Sequence, residues 1–393
     1  MIPENNPGKV EIELIKVKDL YSFFINYSAK KSKDDLDFIT KQRALAHSMN
    51  PYAEDDDVGM ILASIDGKYV GYLGLIPGVV RLKGKNERII WPSSMYIIPE
   101  ARGHSISTLL INKALQLNKV LVITGMGPMS EAVFRHLKFI YLRKAGFSEI
   151  NFRKLRILPV RIIEKIPVEV IKFITRSRAK KNFSAFILYN LLKKWAYLII
   201  FRKYRADFKN VIYEKTSLLD EALRSRIRLN DFSFPRTLEW INWMLQYKWV
   251  INRDEPDQSE SNYYFSNSRD YFQYVTLRVL SSDPETEDGF LIFSISEDKG
   301  NMRIKLLDHT CGNEAEGRKI AAIILDYGKS LSADSIEIPD SLAKFFDIGI
   351  FSKFLISQRE WRFIYSASDL SDPVARELEK VDPKSYDGDL AFV

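Results

Sequence analysis

The sequence predicts a mixed α/β protein with two lobes that are joined by a basic helical connection. Its 393 residues exceed the size of one ordinary domain. An apolar share of 46% and an aromatic share of 12% are typical of a folded globular protein. The order hairpin, strand, turn, helix, strand, helix occurs twice in the apolar pattern, which indicates mixed sheets in each lobe. We therefore predict a first lobe at 1–150, the connection at 151–210 and a second lobe at 211–393.

Charge is distributed unevenly along the chain. Between residues 135 and 209 there are twenty Lys or Arg against four Asp or Glu, whereas the whole chain has 58 against 51. Cys311 is the only cysteine, which excludes an internal disulfide and a cysteine-rich zinc cluster. The beginning of the sequence lacks the basic region and apolar core of a secretion signal. We expect a cytoplasmic protein.

The first lobe begins with a predicted strand at 9–17 and a helix that Asp19 caps. A hairpin follows, because Asp66-Gly67 supplies the positive φ angles that a tight turn needs between two strands. The strands of this hairpin are predicted at 58–65 and 69–76, and 79–82 is predicted as a separate strand.

The central motif of this lobe is the segment 95–110, which is predicted to be a strand, a tight turn at Arg102-Gly103 and a helix. Pro99 ends the strand because it lacks a backbone N–H donor. Ile106, Leu109 and Leu110 share one helical face. A turn that opens directly into a helix directs several N–H groups and the positive end of the helix dipole at one point. That point suits a phosphate or pyrophosphate.

The rest of the first lobe is predicted as a buried strand at 120–123, two glycines at 125 and 127, and a helix from Ser130. In the second lobe we predict a tryptophan-rich helix at 237–249, strands at 271–280, 290–295 and 302–307, and a helix with Ile320 on its buried face. The second turn has no Arg-Gly ahead of its helix.

The basic stretch 153–209 does not read as a membrane span, because Lys193 and Lys194 interrupt its most apolar part. We interpret it as amphipathic connecting helices whose Lys and Arg side chains point to water. Binding to an anionic membrane surface through 151–210 is the alternative.

The segment 99–107 resembles the acetyl-CoA signature of the GNAT N-acyltransferases, with Ser105 and Ser107 in place of the two later glycines. The two-lobed layout is similar to that of tandem GNAT-like transferases that modify nucleotide-linked amino sugars, with Fem-type transferases as more distant relatives. The resemblance implies acyl-CoA as the co-substrate, with no metal. It implies a single CoA site in the first lobe, and a second lobe that contributes to the acceptor site.

The resemblance also implies roles for the backbone of this segment. The N–H groups near Met95 and Tyr96 are candidates for binding the thioester carbonyl, and the backbone of Ile97 would pair with the pantetheine amides. The pyrophosphate would be bound by the turn, which comprises Arg102, Gly103, His104, Ser105, Ile106 and Ser107.

Candidates for proton transfer are His136, His309, Asp57 and Tyr141. His136 lies on the helix that flanks the acyl site in such folds, and His309 lies at a strand end; a structural histidine is the alternative for both. Asp57 belongs to an acidic run, 54–57, that could receive a cationic amine or be a solvated surface. Tyr141 could protonate the CoA thiolate. The tryptophans of the 240s could stack on a base or sugar, or pack in the core.

We therefore predict an acyl-CoA-dependent N-acyltransferase that acts on a nucleotide-linked amino sugar in polysaccharide biosynthesis, without a nucleic-acid partner. The alternatives are a Fem-like transferase that uses aminoacyl-tRNA and a non-catalytic protein that docks on an anionic membrane. The acyl chain, the sugar, the general base and the oligomeric state stay open.

Overall fold

The computed structural model describes residues 9–117, 120–156, 179–209, 211–227, 229–254, 263–265, 268–280, 288–366 and 373–392. Its strands are β1 (Val10–Lys16), β2 (Val58–Ile65), β3 (Lys68–Leu82), β4 (Lys85–Ile97), β5 (Val122–Thr124), β6 (Ile140–Tyr141), β7 (Ala145–Asn151), β8 (Ile212–Thr216), β9 (Phe232–Ser233), β10 (Ile251–Asn252), β11 (Ser268–Arg269), β12 (Tyr271–Leu280), β13 (Gly289–Asp298), β14 (Asn301–His309), β15 (Ser335–Pro339), β16 (Ile356–Trp361) and β17 (Phe363–Tyr365). Its helices are α1 (Leu20–Ser28), α2 (Lys41–Ser48), α3 (Ile106–Leu117), α4 (Pro128–His136), α5 (Ala179–Arg202), α6 (Arg205–Lys209), α7 (Leu238–Gln246), α8 (Glu314–Ser330), α9 (Asp340–Ala343), α10 (Ser352–Leu355) and α11 (Pro373–Leu378). The mixed α/β class predicted from the sequence is confirmed.

Contacts divide the chain into two compact units. The first unit comprises Met1–Ala145, Asp220–Arg269 and Glu360–Val393, and the second comprises Gly146–Leu219 and Asp270–Arg359. These units differ from the three consecutive segments that the sequence predicts. The difference arises because β9 pairs with β3 and β17 pairs with β5, which draws two later segments into the first unit.

The main sheet of the first unit has the antiparallel order β1-β2-β3-β4, with β9 on the far end of β3. The predicted break between strands at 69–76 and 79–82 is wrong, since β3 is one strand of 15 residues. Pro77 lies within it, opposite Ile90 of β4. A smaller sheet has the order β5-β17-β6.

Helix α3 is attached to this sheet by its apolar face. Ile106, Leu110, Ile111 and Ala114 are each at most 2% exposed and belong to one cluster with residues of β2, β3 and β5. Burial of such side chains contributes about 1.5–3 kcal/mol each for the larger ones, so the position of the helix start is well determined.

The second unit contains a seven-stranded sheet with the order β16-β7-β15-β14-β13-β12-β8. Helices α5 and α8 supply its core together with the sheet, and Tyr197, Ile323 and Ile324 are each at most 1% exposed there.

The expectation that the Lys side chains of the connection point to water is wrong for Lys193. This side chain is 5% exposed, and its Nζ lies 2.8 Å from Asp334 Oδ1. Lys194, the next residue, is exposed as expected. Residues 157–178 of the predicted connection lie outside the described residues. Among the described helices, none combines the length and the apolar character that crossing a membrane requires.

Candidate active site

A pocket of about 410 Å³ lies between strands β4 and β5 in the first unit. Within the described residues, β4 forms a parallel bridge only between Ile90 and Leu121, the residue directly before β5, and there Ile90 N–H donates to Val120 O at 3.0 Å. Past this bridge β5 pairs with β17 instead. The divergence leaves residues 92–95 of β4 and residues 123–127 after the bridge to line the pocket. The gap therefore gives a ligand access to strand backbone.

Strand β4 has a β-bulge at the wall of this pocket. Tyr96 is opposite Tyr72 and Ser93 is opposite Gly74, so Ser94 and Met95 together face one residue of β3. Ser94 has φ of 62°, a left-handed backbone conformation that residues other than glycine rarely adopt. Bulges of this kind re-aim the backbone next to active sites. The bulge places the predicted residue Met95 in the pocket wall.

Strands β3 and β4 approach each other closely at the bulge. A Cβ at position 74 would lie 2.6 Å from Ser93 O, so glycine is required at that position.

The predicted phosphate turn follows β4 directly. Gly103 has φ of 94° and Ser105 has φ of 57°, and the turn residues 102–105 are exposed. Arg102 N–H donates to Pro99 O, whereas the N–H groups of residues 103–108 have no hydrogen-bond acceptor within the described ranges. The first turn of α3 thus leaves a set of donors available to an anion.

The side chain of Arg102 lies back along the strand end. Its Nε donates to Ile97 O at 3.2 Å, and its guanidinium carbon is 5.9 Å from the centroid of the Tyr96 ring. The other guanidinium nitrogens stay available for a second charge-assisted contact.

The lining of the pocket also includes a buried cation. Arg43 is 8% exposed, and its guanidinium carbon lies 4.4 Å from the centroid of Trp249. Its Nη2 donates to Ser93 Oγ at 2.6 Å, and Ser93 Oγ donates to Asp389 Oδ2 at 2.5 Å. Tyr263 also lines the pocket, and burial raises the pKa of its hydroxyl. The pocket therefore combines aromatic walls with one fixed positive and one negative charge.

The predicted proton-transfer residues of the first unit do not line this pocket. Tyr141 is 45% exposed, donates to Glu131 and accepts from Arg135 Nη2 at 2.8 Å. His136 is exposed at the end of α4. Asp57 is held by an ion pair with Arg88.

The acidic run 54–57 is a surface network, because Glu54 also pairs with Arg88 and Asp56 pairs with Lys16. His104 is exposed in the turn.

His309, the remaining candidate, belongs to the second unit. It lines a pocket of about 380 Å³ together with Cys311, Lys344 and the residues that precede α8. Asn313 caps this helix by accepting from Glu316 N–H at 2.9 Å, and Glu316 in turn accepts from Gly312 N–H. This capping box satisfies backbone N–H donors at the start of α8. The corresponding donors at the start of α3 stay available.

Sequence reasoning missed Arg43, Ser93 and Asp389. The hydrogen bonds among them join residues that are 50 and 296 positions apart. The two serines at 93 and 94, which interrupt the apolar residues 89–97 of β4, are the one local signal that could have indicated Ser93.

Trp249, one of the tryptophans for which stacking on a ligand and core packing are both predicted as alternatives, lines the pocket, and Arg43 covers one of its faces.

Comparison with known families identifies part of the first unit. The acetyltransferase (GNAT) family model matches residues 23–119, a segment that runs from α1 through β4 and the turn to the end of α3. This part of the chain is therefore similar to the acetyltransferases of the GNAT family. None of the curated proteins matches the sequence significantly.

Several solved structures resemble the whole chain at low identity. A GCN5-related N-acetyltransferase from Anabaena variabilis ATCC 29413 is 11% identical with a TM-score of 0.46, covering 90% of this chain and 72% of that one. A probable N-acyltransferase from Enterococcus faecalis V583 is 11% identical with a TM-score of 0.48, covering 91% and 72%. N-myristoyltransferase from Saccharomyces cerevisiae with bound myristoyl-CoA is 12% identical with a TM-score of 0.45, covering 93% and 80%.

Proposed function

We propose that the first unit transfers an acyl group from acyl-CoA to a primary amine held in the pocket between β4 and β5. The observation that carries this proposal is the continuity of one strand. Residues 92–95 of β4 line the pocket, and the same strand leads to a turn with unpaired N–H groups. A cofactor with a pyrophosphate at one end and a thioester at the other matches this arrangement.

Each part of the cofactor has a proposed partner in the backbone. The pyrophosphate is bound by N–H groups of residues 103–107 at the positive end of the α3 dipole, with Arg102 as a second source of charge. The pantetheine amides pair with the backbone near Ile97. The thioester carbonyl accepts from an N–H group near Met95 and Tyr96, at and directly after the bulge, and this N–H group would stabilise the oxyanion.

The acceptor that we propose is an amino sugar carried by a nucleotide. Aromatic rings of Tyr263, Phe265 and Trp361 line the pocket, and such rings pack well on the apolar face of a sugar. Arg43 and Asp389 add polar partners for hydroxyl and amine groups. A volume of about 410 Å³ suits a monosaccharide beside a thioester, so the nucleotide is expected to extend beyond the pocket.

The test is release of free thiol from acyl-CoA of graded chain length with a panel of nucleotide-linked amino sugars, free amino sugars and peptides with a free amino terminus. We expect thiol release with a nucleotide-linked amino sugar. Thiol release with only the free amino sugar, or with only the peptide, would show that the proposed acceptor is wrong and that the proposed acyl transfer is right. An absence of thiol release with every amine, together with no binding of acyl-CoA by calorimetry, would refute the function.

The chain offers a matched pair of variants for the site. Gly127 lines the pocket, and a Cβ there would meet nothing within 4 Å. Gly127→Phe should therefore fill the pocket without straining the backbone and should abolish thiol release. Ala132→Phe changes an exposed position on the helix that follows. It should retain the activity of the unsubstituted protein.

A further inference from the structure

The buried hydrogen-bond chain of the pocket ends on a carboxylate that has one oxygen engaged. Arg43 and Ser93 are 8% and 4% exposed, whereas Asp389 is half-buried at the pocket wall. Asp389 Oδ2 accepts from Ser93 Oγ. In the described part of the chain no group donates a hydrogen bond to Oδ1, so this oxygen can accept a proton from a ligand.

A buried ion pair anchors the segment that carries Asp389. Arg236 and Asp387 are 5% and 2% exposed, and Arg236 Nε donates to Asp387 Oδ1 at 3.0 Å. Asp387 Oδ2 also accepts from Lys384 N–H at 2.6 Å. Gly388 has φ of 69°, and a Cβ there would lie 2.8 Å from Trp91 Cε3 of β4. The segment is thus built to approach β4 closely, directly before Asp389.

We propose that Asp389 is the catalytic proton acceptor for the amine that attacks the thioester. This assignment rests on the acyl transfer proposed above. Ser93 is a positioning residue, because it orients the carboxylate through Oδ2 and leaves Oδ1 for the amine. Arg43 donates to Ser93 Oγ and so holds Ser93 in place, and it is itself held against Trp249.

The site of proton transfer lies next to the site of the oxyanion. Ser93, which binds Asp389, is adjacent in sequence to the bulge residues Ser94 and Met95. A carbonyl bound at the bulge therefore lies beside the carboxylate.

The step balances as follows. The amine's electron pair forms the new C–N bond at the carbonyl carbon, and the proton that the nitrogen loses moves to Asp389. The C–S bond breaks with its electron pair on sulfur, and the CoA thiolate then takes a proton from water. Asp389 returns its proton to solvent when the product leaves.

The test compares variants of the full chain with an acyl-CoA and the amine that the unsubstituted protein acylates. Asp389→Asn keeps the shape and the contact with Ser93 but cannot accept the proton, so kcat should fall about 100-fold or more. Binding of acyl-CoA, measured by calorimetry, should stay unchanged. Asp382→Asn, at an exposed position in the same segment, is the matched control and should retain full kcat.

Chemical rescue separates proton transfer from a structural role. In Asp389→Ala a small carboxylate such as formate can enter the space of the lost side chain, and added formate should restore part of kcat. A merely structural carboxylate would not be replaced by a freely diffusing one. Should Asp389→Ala fail to bind acyl-CoA, the Asn variant alone decides.

Full activity of Asp389→Asn would overturn the assignment while leaving the acyl transfer intact. Failure of the unsubstituted protein to release thiol would instead overturn the function itself.

Discussion

At the scale of single residues, His47 contacts Arg43 of the pocket and is expected to make the stability of the folded protein depend on pH. It is 2% exposed, its Nε2 accepts from Arg43 Nε at 3.4 Å, and its ring centroid is 5.0 Å from that of Trp249. Burial first, and then the charge of Arg43, lower the pKa of His47 well below its ordinary value of 6.5. The folded protein therefore keeps this imidazole neutral.

This lowered pKa predicts a loss of stability in mild acid. Below pH 6.5 the unfolded chain binds a proton at His47 that the folded chain excludes, so this contribution is complete above 6.5 and is lost as the pH falls. The free energy of unfolding should fall by about 1.4 kcal/mol per pH unit through this residue. Urea unfolding at successive pH values gives the free energy of unfolding as a function of pH. The slope of this dependence in mild acid should be shallower for His47→Gln than for the unsubstituted protein.

His136→Gln, a change at an exposed histidine, is the control and should keep the slope of the unsubstituted protein. Equal slopes for all three proteins would contradict the assignment to His47.

The limits of sequence reasoning are clearest among the pocket residues. Met95 could be predicted because it lies on the motif strand, where local spacing carries the information. Arg43 and Asp389 could not, because each is an ordinary residue type until the fold brings both to Ser93. Charged residues gain their function here from burial and from partners far along the chain, and a single sequence records neither.

At the scale of elements, helix α5 has two contrasting faces. Lys193 is buried with Asp334, whereas Leu191, Trp195 and Leu198 are 57%, 55% and 62% exposed. These three apolar residues recur at helical spacing, and the exposed side chains of Lys194 and Arg202 share their face. A face with apolar anchors and flanking cations is typical of helices that lie on anionic lipid.

We expect this face to bind vesicles that contain phosphatidylserine more strongly than vesicles of phosphatidylcholine alone. Each cation near an anionic surface contributes about 1 kcal/mol, so added salt should weaken the binding. Sedimentation with vesicles measures it. Leu198→Glu should reduce binding, and Ile212→Glu, at a strand residue that is 60% exposed in the same unit, should not. Equal binding to both kinds of vesicle would contradict this role.

The strand-turn-helix motif shows what local pattern can predict. The strand end at Pro99 and the helix start at Ile106 follow from backbone chemistry and apolar spacing, and both lie where they were predicted. The bulge at Ser94 and Met95 was not predictable, because its register depends on the partner strand β3. Element type is thus a local property here, while the geometry of the site is not.

At the scale of the whole molecule, the division into units was the hardest feature to predict. Segments 220–269 and 360–393 belong to the first unit. The strands with which β9 and β17 pair precede them in the chain by more than a hundred positions. Strands β9 and β17 have only two and three residues, which is too short for an apolar periodicity to indicate them or the edge that each strand joins. Pairing with β3 and β5 is decided by the packed core.

The two units also differ at the start of corresponding helices. In the first unit, the N–H groups of residues 103–108 at α3 have no acceptor among the residues that the structure describes. In the second unit, Asn313 and Glu316 accept from the backbone at the start of α8, and the carboxylate of Glu316 lies where an anion would bind. A phosphate there would meet a negative charge and lose its donors.

This difference predicts one acyl-CoA per chain. Calorimetric titration should give a stoichiometry of one, and Arg102→Glu should weaken the affinity at least tenfold by placing a carboxylate beside the pyrophosphate. Lys319→Glu makes the same change of charge in α8 of the second unit and should leave both affinity and stoichiometry unchanged. Two sites per chain, or an affinity that responds to Lys319→Glu and not to Arg102→Glu, would move the cofactor to the second unit. In that case the capping of α8 by Glu316 would have to open on binding, because its carboxylate holds the donors that a phosphate needs.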